Sequence, residues 1–253
     1  VAPIRLALTE MDEANRILRE YERRERALAP DLYAPTKPFN LFLRQSRERA
    51  LVKMLTKAGF VPFGARRILD VGCGSGQWLI DFETWGAERG NLAGIDLIPS
   101  RIRVAQRRLA SWRASDGQLL ASGADVREGD ASTLPWDDGT FDLVCQSMVF
   151  SSILDASMRE VVATEMVRVL APGGVLVWYD FFASNPRNPN VRGIRRPEVA
   201  RLFPGFSMTV TRATLMPPLA RRLVPVSRLL AESISALKLL NMHYLILLRR
   251  RER

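Results

Sequence analysis

The sequence predicts an α/β fold built on a parallel, doubly wound sheet. Short apolar strands alternate with longer helical stretches through the middle of the chain, and a cluster of glycines follows the first of these strands. The chain has 253 residues, of which 47% are hydrophobic and 25% are charged. This composition is ordinary for a globular protein and excludes disordered, collagen-like and disulfide-stapled chains.

Two helices are predicted ahead of the sheet. Thr9 is expected to cap the first helix, which is highly charged and ends before a proline-rich loop. Asn40 is expected to cap the second, whose apolar residues recur at helical spacing until Gly59 ends it. Residues 1–64 are therefore expected to form an N-terminal helical cap, and residues 65–253 the main domain.

The alternation of strands and helices begins in the second of these segments. The strands predicted from short apolar runs are residues 67–71, 91–97, 124–128, 141–146 and 175–179. The helices predicted between them are residues 77–88, 100–114 and 155–170. Strands joined by such helices run parallel, so the sequence predicts one Rossmann-like domain with additions at both ends.

The glycine cluster is the segment Asp70-Val71-Gly72-Cys73-Gly74-Ser75-Gly76, which leaves the first strand and opens a helix. Glycines there let the backbone turn sharply and approach a ligand closely. A dinucleotide fingerprint would need glycine where Gln77 stands, and a P-loop would need a Lys–Ser/Thr pair. Asp96 ends the second strand, where a carboxylate can accept both hydroxyls of a ribose. The expected ligand is an adenosine without a pyrophosphate.

Over about residues 67–180 the chain resembles the class I S-adenosylmethionine-dependent methyltransferases. The segments that carry this resemblance are LDVGCGSG, GIDL, GDASTLPWDDGTFDLV and EMVRVLAPGGVLVWYD. It implies a seven-stranded sheet of order 3-2-1-4-5-7-6 whose last strand is antiparallel, with strands six and seven at residues 206–215 and 243–250. It also implies S-adenosylmethionine as the cofactor and S-adenosylhomocysteine as its product.

The resemblance assigns cofactor-binding roles residue by residue. The implied residues are Asp70, Gly72, Gly74, Gly76, Asp96, Leu97, Asp130, Ala131, Gln146 and Ser147. Asp70 and the three glycines would line the methionine part and the sulfonium. Asp96 would hold the ribose and Leu97 would lie beside the adenine, which the pair Asp130–Ala131 would also contact. The pair Gln146–Ser147 would face the methyl group.

The charge distribution predicts an anionic acceptor. Residues 65–180 carry 11 basic and 16 acidic groups, whereas residues 181–253 carry 14 basic and 3 acidic groups. The basic excess includes two insertions expected on the substrate side, residues 181–205 and a lid before the last strand at residues 216–241. The expected anion contacts are Arg187, Arg192, Arg195 and Arg196. Since 33 of the 37 basic residues are arginine, an arginine-rich composition that fills solvated positions explains the excess equally well.

Transfer of a methyl group to a hydroxyl requires a base, and two residues are candidates. His243, the single histidine, falls at the start of the last strand, and Asp180 ends the fifth strand. The Asn/Asp-Pro-Pro-aromatic motif that serves nitrogen methylation in the family is absent after the fourth strand. One histidine and two cysteines, Cys73 and Cys145, cannot complete a structural zinc site, so no metal is expected.

The acceptor is thus expected to be a small molecule or a glycan. A looser resemblance to methyltransferases encoded with bacterial surface-polysaccharide genes suggests a polysaccharide precursor; it is carried by FNLFLRQSRERALVKML, FSSILD, NPRNPNVRGI, LFPGF and LMPPLARRL. The alternatives are an RNA methyltransferase, a methyltransferase of a quinone-like lipid, and a non-catalytic regulator that binds the cofactor. Without a secretion signal or a long apolar run, a cytoplasmic location is expected, with peripheral membrane contact through residues 219–240 as an option.

Overall fold

The fold was analysed in a computed structural model of the chain. The structure describes residues 2–27, 31–32, 34, 36–110, 112–113, 119–121, 123–186 and 188–251. In this part of the chain a seven-stranded sheet carries helices on both faces, and a separate two-stranded ribbon pairs Trp112–Arg113 with Leu119–Ala121.

The sheet strands, numbered in chain order, are β1 (Ile68–Val71), β2 (Leu92–Asp96), β3 (Asp125–Glu128), β4 (Phe141–Ser147), β5 (Leu170–Phe181), β6 (Phe206–Leu215) and β7 (Asn241–Arg250). The helices are α1 (Ala2–Ala27), α2 (Pro38–Lys57), α3 (Gln77–Thr84), α4 (Pro99–Arg108), α5 (Ala156–Arg168), α6 (Arg196–Leu202), α7 (Pro217–Leu223) and α8 (Arg228–Ala236). A 3-10 turn spans Arg89–Asn91.

The strand order is β3-β2-β1-β4-β5-β7-β6, which confirms the predicted order 3-2-1-4-5-7-6. Strands β1 to β5 are parallel, and β7 is antiparallel to both of its neighbours. Val71 pairs with Ile95 on one side and with Gln146 on the other. The glycine loop therefore leaves the sheet between the ends of β2 and β4, at the edge where open α/β sheets bind ligands.

Helices cover both faces of the sheet, so the strands are buried on both sides, and their sequences are nearly continuous runs of apolar residues. One face packs on α5, α6 and part of α1 through residues such as Trp178 and Ile246. The other packs on α2, α3 and α4 through residues such as Leu55 and Val177. A third, smaller cluster joins α2 to α7 and α8, which form the insertion between β6 and β7.

Several predicted boundaries were wrong. Helix α1 begins at Ala2, so Thr9 lies inside it rather than capping it. Helix α2 begins at Pro38, and the Asn40 side chain instead donates hydrogen bonds to the carbonyls of Leu32 and Ala34 at 2.8 and 3.0 Å. The predicted end at Gly59 is confirmed, since this residue follows the helix with φ +66°.

The other differences concern the ends of elements within the sheet domain. Helix α3 ends at Thr84 and α4 at Arg108, both shorter than predicted. Strand β5 begins at Leu170, because Leu170 pairs with Phe141 of β4; the Pro-Gly-Gly segment then forms an irregularity, and the regular register resumes at Val175. Asp155 caps α5, and its carboxylate accepts a hydrogen bond from the Met158 amide at 2.7 Å. Among the described residues, no helix combines the length and the hydropathy that crossing a bilayer requires.

Candidate cofactor and acceptor site

The glycine loop is fixed to the end of β2 by backbone hydrogen bonds. The amides of Gly72 and Cys73 donate to the Ile95 carbonyl at 2.8 and 2.9 Å. Gly72 has φ +71° and Gly74 has φ +53°, in the left-handed region that favours glycine. A Cβ added to Gly72 would also lie 2.2 Å from Cγ2 of Val149. Conformation and close packing therefore both require glycine at position 72.

Asp96 links the loop to the adjacent strand end. Its carboxylate accepts hydrogen bonds from the amides of Gly74 at 2.8 Å and Ile98 at 2.9 Å. Burial raises the pKa of this carboxyl, and the two amide hydrogen bonds oppose that rise. Because an ionised carboxylate offers about four acceptor sites, two remain for the hydroxyls of a ribose.

A cavity of about 810 Å³, including its open mouth, lies beside Asp96. Six of the predicted cofactor residues line it: Gly72, Asp96, Leu97, Asp130, Ala131 and Ser147. The Asp130 carboxylate accepts a hydrogen bond from the Ser132 amide at 2.8 Å, which holds the turn after β3. Its lining combines a few polar groups with apolar side chains, a combination that small-molecule sites share.

The other four predicted cofactor residues do not line this cavity. Gly76 faces α4, where an added Cβ would lie 2.9 Å from Cδ1 of Leu109, so this glycine serves close packing. Gly74 contributes through its hydrogen bond to Asp96. Gln146 is fully buried, and its Oε1 accepts a hydrogen bond from the Val149 amide at 3.0 Å. Within the described residues its Nε2 has no hydrogen-bond partner.

Asp70, the fourth of these residues, is 2% exposed at the end of β1. Burial, reinforced by the charge of Asp96, raises the pKa of its carboxyl to about 8. The Cys145 thiol donates to Asp70 Oδ1 at 3.6 Å, which opposes the rise. Two acidic side chains therefore lie at the two ends of one loop.

Helix α1 forms part of the cavity wall, as expected for the N-terminal helices, but through two residues that the sequence did not single out. Ile17 and Tyr21 line the cavity one helical turn apart, and the Tyr21 hydroxyl hydrogen-bonds to Oγ of Ser152 at 3.3 Å. The guanidinium of Arg101 lies 4.5 Å from the Tyr21 ring centroid. The spacing of Ile17 and Tyr21 on a charged helix is the one signal that could have indicated this contact.

These groups fit S-adenosylmethionine. Asp96 would supply acceptors for the two ribose hydroxyls, while Leu97 and Ala131 would supply apolar surface for an adenine. The carboxyl groups of Asp70 and Asp96 carry a negative charge when ionised, and this charge suits a ligand with a sulfonium and an ammonium group. The residues that would hold the cofactor are therefore those of the cavity together with Asp70 behind the loop.

Four aromatic side chains, which we call the aromatic wall, extend from the glycine loop to the end of the sheet: Trp78, Tyr179, His243 and Phe181. Trp78 lies in the first turn of α3, with its ring centroid 6.2 Å from that of Tyr179. The His243 ring stacks on Tyr179 at 4.7 Å and contacts Phe181 at 4.3 Å. Phe181 and His243 are directly opposite each other on β5 and β7, so their side chains share one face.

His243 is 5% exposed and lies within a hydrogen-bond network. Its Nδ1 contacts Oγ1 of Thr214, which also lies 2.8 Å from the Tyr179 hydroxyl. Burial, assisted by the positive charge of Arg47, lowers the pKa of the imidazole to about 3. The ring is therefore neutral at physiological pH.

Asp180, the other predicted base, lies on the opposite face of β5 from Tyr179 and Phe181, because side chains alternate along a strand. It is fully buried, and burial raises its pKa to about 7. Its two oxygens accept hydrogen bonds from the amides of Ser151 at 3.0 Å and Phe181 at 2.8 Å. In this structure Asp180 holds the segment that follows β4.

Arg47 of α2 is a second residue that sequence reasoning missed. Its guanidinium lies 5.2 Å from the Trp78 ring centroid and 3.2 Å from an oxygen of Asp81. The Trp78 Nε1 is buried and has no hydrogen-bond partner in the described part of the chain. Nothing in the local sequence distinguishes Arg47 from the other basic residues of α2, so only the tertiary packing reveals its position beside Trp78.

The arginines predicted to bind an anion are not brought to the cavity beside Asp96. Arg187 lies outside the residues that the structure describes. Arg192 is 2.7 Å from Glu198 and lines, with Arg195, a separate surface depression. Arg196 begins α6 and is exposed.

A second cavity, of about 860 Å³, lies between α2, the end of β6 and α8. Three basic side chains line it, those of Arg49, Arg212 and Lys238. Thr214 lines it as well, which connects it to His243 through the hydrogen bond described above. The insertion that was predicted to lie on the substrate side thus contributes α8 to a cavity next to the aromatic wall.

Comparison with known proteins agrees with this geometry. The profile of a family described as a methyltransferase domain matches residues 69–178. The demethylmenaquinone methyltransferase of Lactiplantibacillus plantarum is 29% identical over 139 residues, which cover 55% of this chain and 54% of that protein. The sterol 4-C-methyltransferase strm-1 of Caenorhabditis elegans is 29% identical over 119 residues, or 46% of this chain and 31% of that protein. The chain thus spans about half the length, or less, of these curated relatives.

Among solved structures, the PH0226 protein from Pyrococcus horikoshii OT3 superposes with a TM-score of 0.59 at 19% identity, covering 92% of this chain and 99% of that protein. At this level of identity the similarity establishes the fold alone. Residues 69–178 thus match a methyltransferase-domain family, and the strand order and the superposition show that the chain has the Rossmann-like fold of S-adenosylmethionine-dependent methyltransferases.

Proposed function

We propose that this protein transfers a methyl group from S-adenosylmethionine to a hydroxyl oxygen of a small molecule that has a planar, apolar portion. The observation that carries the proposal is the aromatic wall, which begins next to the glycine loop and ends at His243. Trp78, Tyr179 and His243 are only 4–5% exposed, so a planar ring would stack on this wall, beside a neutral imidazole, after a local opening of the site.

When bound, S-adenosylmethionine supplies an electrophilic methyl group on a sulfonium. Methyl transfer of this kind is an in-line displacement, so the protein has two tasks: to align the acceptor and to accept its proton. Trp78 and Tyr179 offer the surface on which the acceptor would lie. Arg47, beside the Trp78 ring, would stabilise negative charge that develops on the acceptor oxygen.

His243 is the base in this proposal, and the hydrogen bonds around it support the assignment. A hydroxyl has a single proton, and the Thr214 hydroxyl donates it to the Ala213 carbonyl at 2.7 Å. Thr214 Oγ1 then accepts from His243, so the imidazole proton resides on Nδ1 and the lone pair on Nε2. Nε2 is unprotonated at physiological pH, but a pKa of about 3 makes the imidazole a weak base in the free protein, so the proposal requires that the bound acceptor raise this pKa.

The relatives favour an apolar acceptor within this proposal. Their printed names refer to demethylmenaquinone and to a sterol. A quinone-like phenol therefore suits the aromatic wall better than a sugar does. The second candidate is a glycan precursor with an anionic group, as the sequence predicted. The three basic residues of the second cavity, Arg49, Arg212 and Lys238, favour it.

The experiment uses the purified chain, methyl-labelled S-adenosylmethionine and separate pools of hydroquinones, nucleotide sugars and RNA. Label in the hydroquinone pool, located on oxygen by mass spectrometry, is the expected result. Label in the nucleotide sugars would favour the second candidate, and label in RNA would refute both. Measurable cofactor binding with no label in any pool, including a lysate extract, would favour a non-catalytic regulator.

A further inference from the structure

The insertion between β6 and β7 has an inner face and an outer face of different character. Its inner face packs on Phe42 of α2 through Ala220, Val224 and Ala231. Its outer face exposes six large apolar side chains, each between 43% and 81% exposed: Val226, Leu229, Leu230, Leu237, Leu239 and Leu240. We call these six residues the outer leucine surface. In the described part of the chain, only two other large apolar residues are exposed to a comparable degree.

The insertion that carries this surface also carries four exposed basic residues, Arg221, Arg222, Arg228 and Lys238, and Glu232 is its single acidic residue. Arg221 lies over the Phe39 ring, Arg228 contacts Gln45, and Lys238 donates to Thr211. The Glu232 carboxylate lies 3.2 Å from Arg228 and 3.8 Å from Arg49, so it is already paired. The insertion therefore combines exposed leucines with an excess of positive charge.

We propose that the outer leucine surface docks on a membrane that contains anionic lipids. The leucines would enter the boundary between headgroups and acyl chains, and the arginines of the insertion would contact lipid phosphates. Basic residues beside exposed apolar side chains are the features that hold a peripheral protein on an anionic bilayer. The contact is interfacial, since α7 and α8 have only seven and nine residues.

The positive charge of the chain argues against a dimer in which a second copy of the chain covers this surface. The formal net charge is +10, and the insertion itself carries four basic groups and one acidic group. A symmetric dimer through the outer leucine surface would bring like charges together, which costs free energy. An anionic lipid surface complements both the charge and the leucines.

Docking would bear on catalysis, because the insertion that carries the outer leucine surface also lines the second cavity. This step rests on the proposed function. Lys238 belongs to the insertion and also lines the second cavity, whose wall includes Thr214. Thr214 in turn contacts His243. Docking would therefore bring the second cavity, which one hydrogen bond connects to His243, close to the bilayer.

The test measures sedimentation of the full chain with vesicles of phosphatidylcholine alone or mixed with phosphatidylglycerol. We expect binding to the mixed vesicles that weakens as salt is raised. Changing Leu229, Leu237 and Leu239 to serine should weaken the partition at least about tenfold. Val61→Ser, which alters an exposed apolar residue elsewhere, should leave it unchanged.

A second pair of variants tests the charge. Arg222→Gln should weaken binding to the mixed vesicles about fivefold, whereas Arg107→Gln on α4 should have little effect. No binding to anionic vesicles, or equal binding by the triple leucine variant, would overturn the proposal. A concentration-dependent dimer that the triple variant abolishes would also overturn it.

Separate measurements can refute the proposed function and the proposed membrane docking. Cofactor affinity, measured by calorimetry without vesicles, and label transfer to a water-soluble phenol report on the proposed function alone. Vesicle binding that persists when those assays are negative leaves docking intact and removes the step that connects it to catalysis.

Discussion

Replacing Asp70 with asparagine changes the charge that this buried position can carry while nearly preserving its shape. The carboxyl is 2% exposed, and burial raises its pKa from the ordinary value of 3.8 to about 8. Between these two pH values the folded state holds a proton that the unfolded state has released. The stability of the wild-type protein should therefore rise as the pH falls from 8 towards 4.

The size of this effect follows from the two pKa values. One pKa unit corresponds to about 1.4 kcal/mol, and Asp70 is half protonated at pH 8 in the folded state, so lowering the pH from 8 to 5 should stabilise the wild type by about 4 kcal/mol through Asp70. Asp70→Asn lacks this contribution because the amide does not titrate. Other groups, such as Asp180, titrate equally in both proteins and cancel in the comparison.

Urea unfolding of both proteins at pH 5 and pH 8 measures the difference directly. The asparagine variant should be the more stable protein at pH 8, with the gap closing or reversing at pH 5. A difference in unfolding free energy that stays constant within about 0.5 kcal/mol across this range would show that Asp70 is ionised in the folded protein. The variant should also bind S-adenosylmethionine more weakly, because the cofactor is cationic near this carboxylate.

Three further variants test the site. Asp96→Asn should weaken S-adenosylmethionine binding roughly 10- to 100-fold in calorimetry, because a buried charged acceptor is lost, whereas the exposed Asp137→Asn should not. Gly72→Ala should lower the unfolding free energy by about 2 kcal/mol through strain and overlap with Val149; partial recovery in a Val149→Ala background would support that cause. His243→Gln should reduce kcat roughly 100-fold or more with an unchanged cofactor Kd, and full turnover would exclude His243 as the base.

Part of the site could be predicted because it depends on local sequence. The glycine loop, Asp96 and the pair Asp130–Ala131 each follow the end of a strand. Since parallel strands end at one edge of the sheet, correct strand positions bring these residues together. The same reasoning could not anticipate that Gly76 packs on α4 or that Gln146 is buried, because both depend on which neighbour occupies the space.

The predicted ends of elements failed where tertiary contacts override local signals. Thr9 has the residue type of a cap, yet α1 continues through it. The Pro-Gly-Gly segment before Val175 has the composition of a turn, yet it lies within β5 as an irregularity, because Leu170 ahead of it already pairs with Phe141 of β4. Propensity is a weak determinant when a sheet neighbour competes with it.

By itself, the sequence predicted the parallel strands and the glycine loop at their carboxyl edge from the spacing of strands, glycines and acidic residues, and its resemblance to the methyltransferases implied the sheet order that the structure confirms. Only the tertiary structure decided which side chains meet across that edge. It brought Trp78, Tyr179 and His243 into one wall, and it paired Arg192 with Glu198. Contacts between residues far apart in sequence depend on how helices pack and which polar groups find partners inside the fold, and neither is encoded in local spacing.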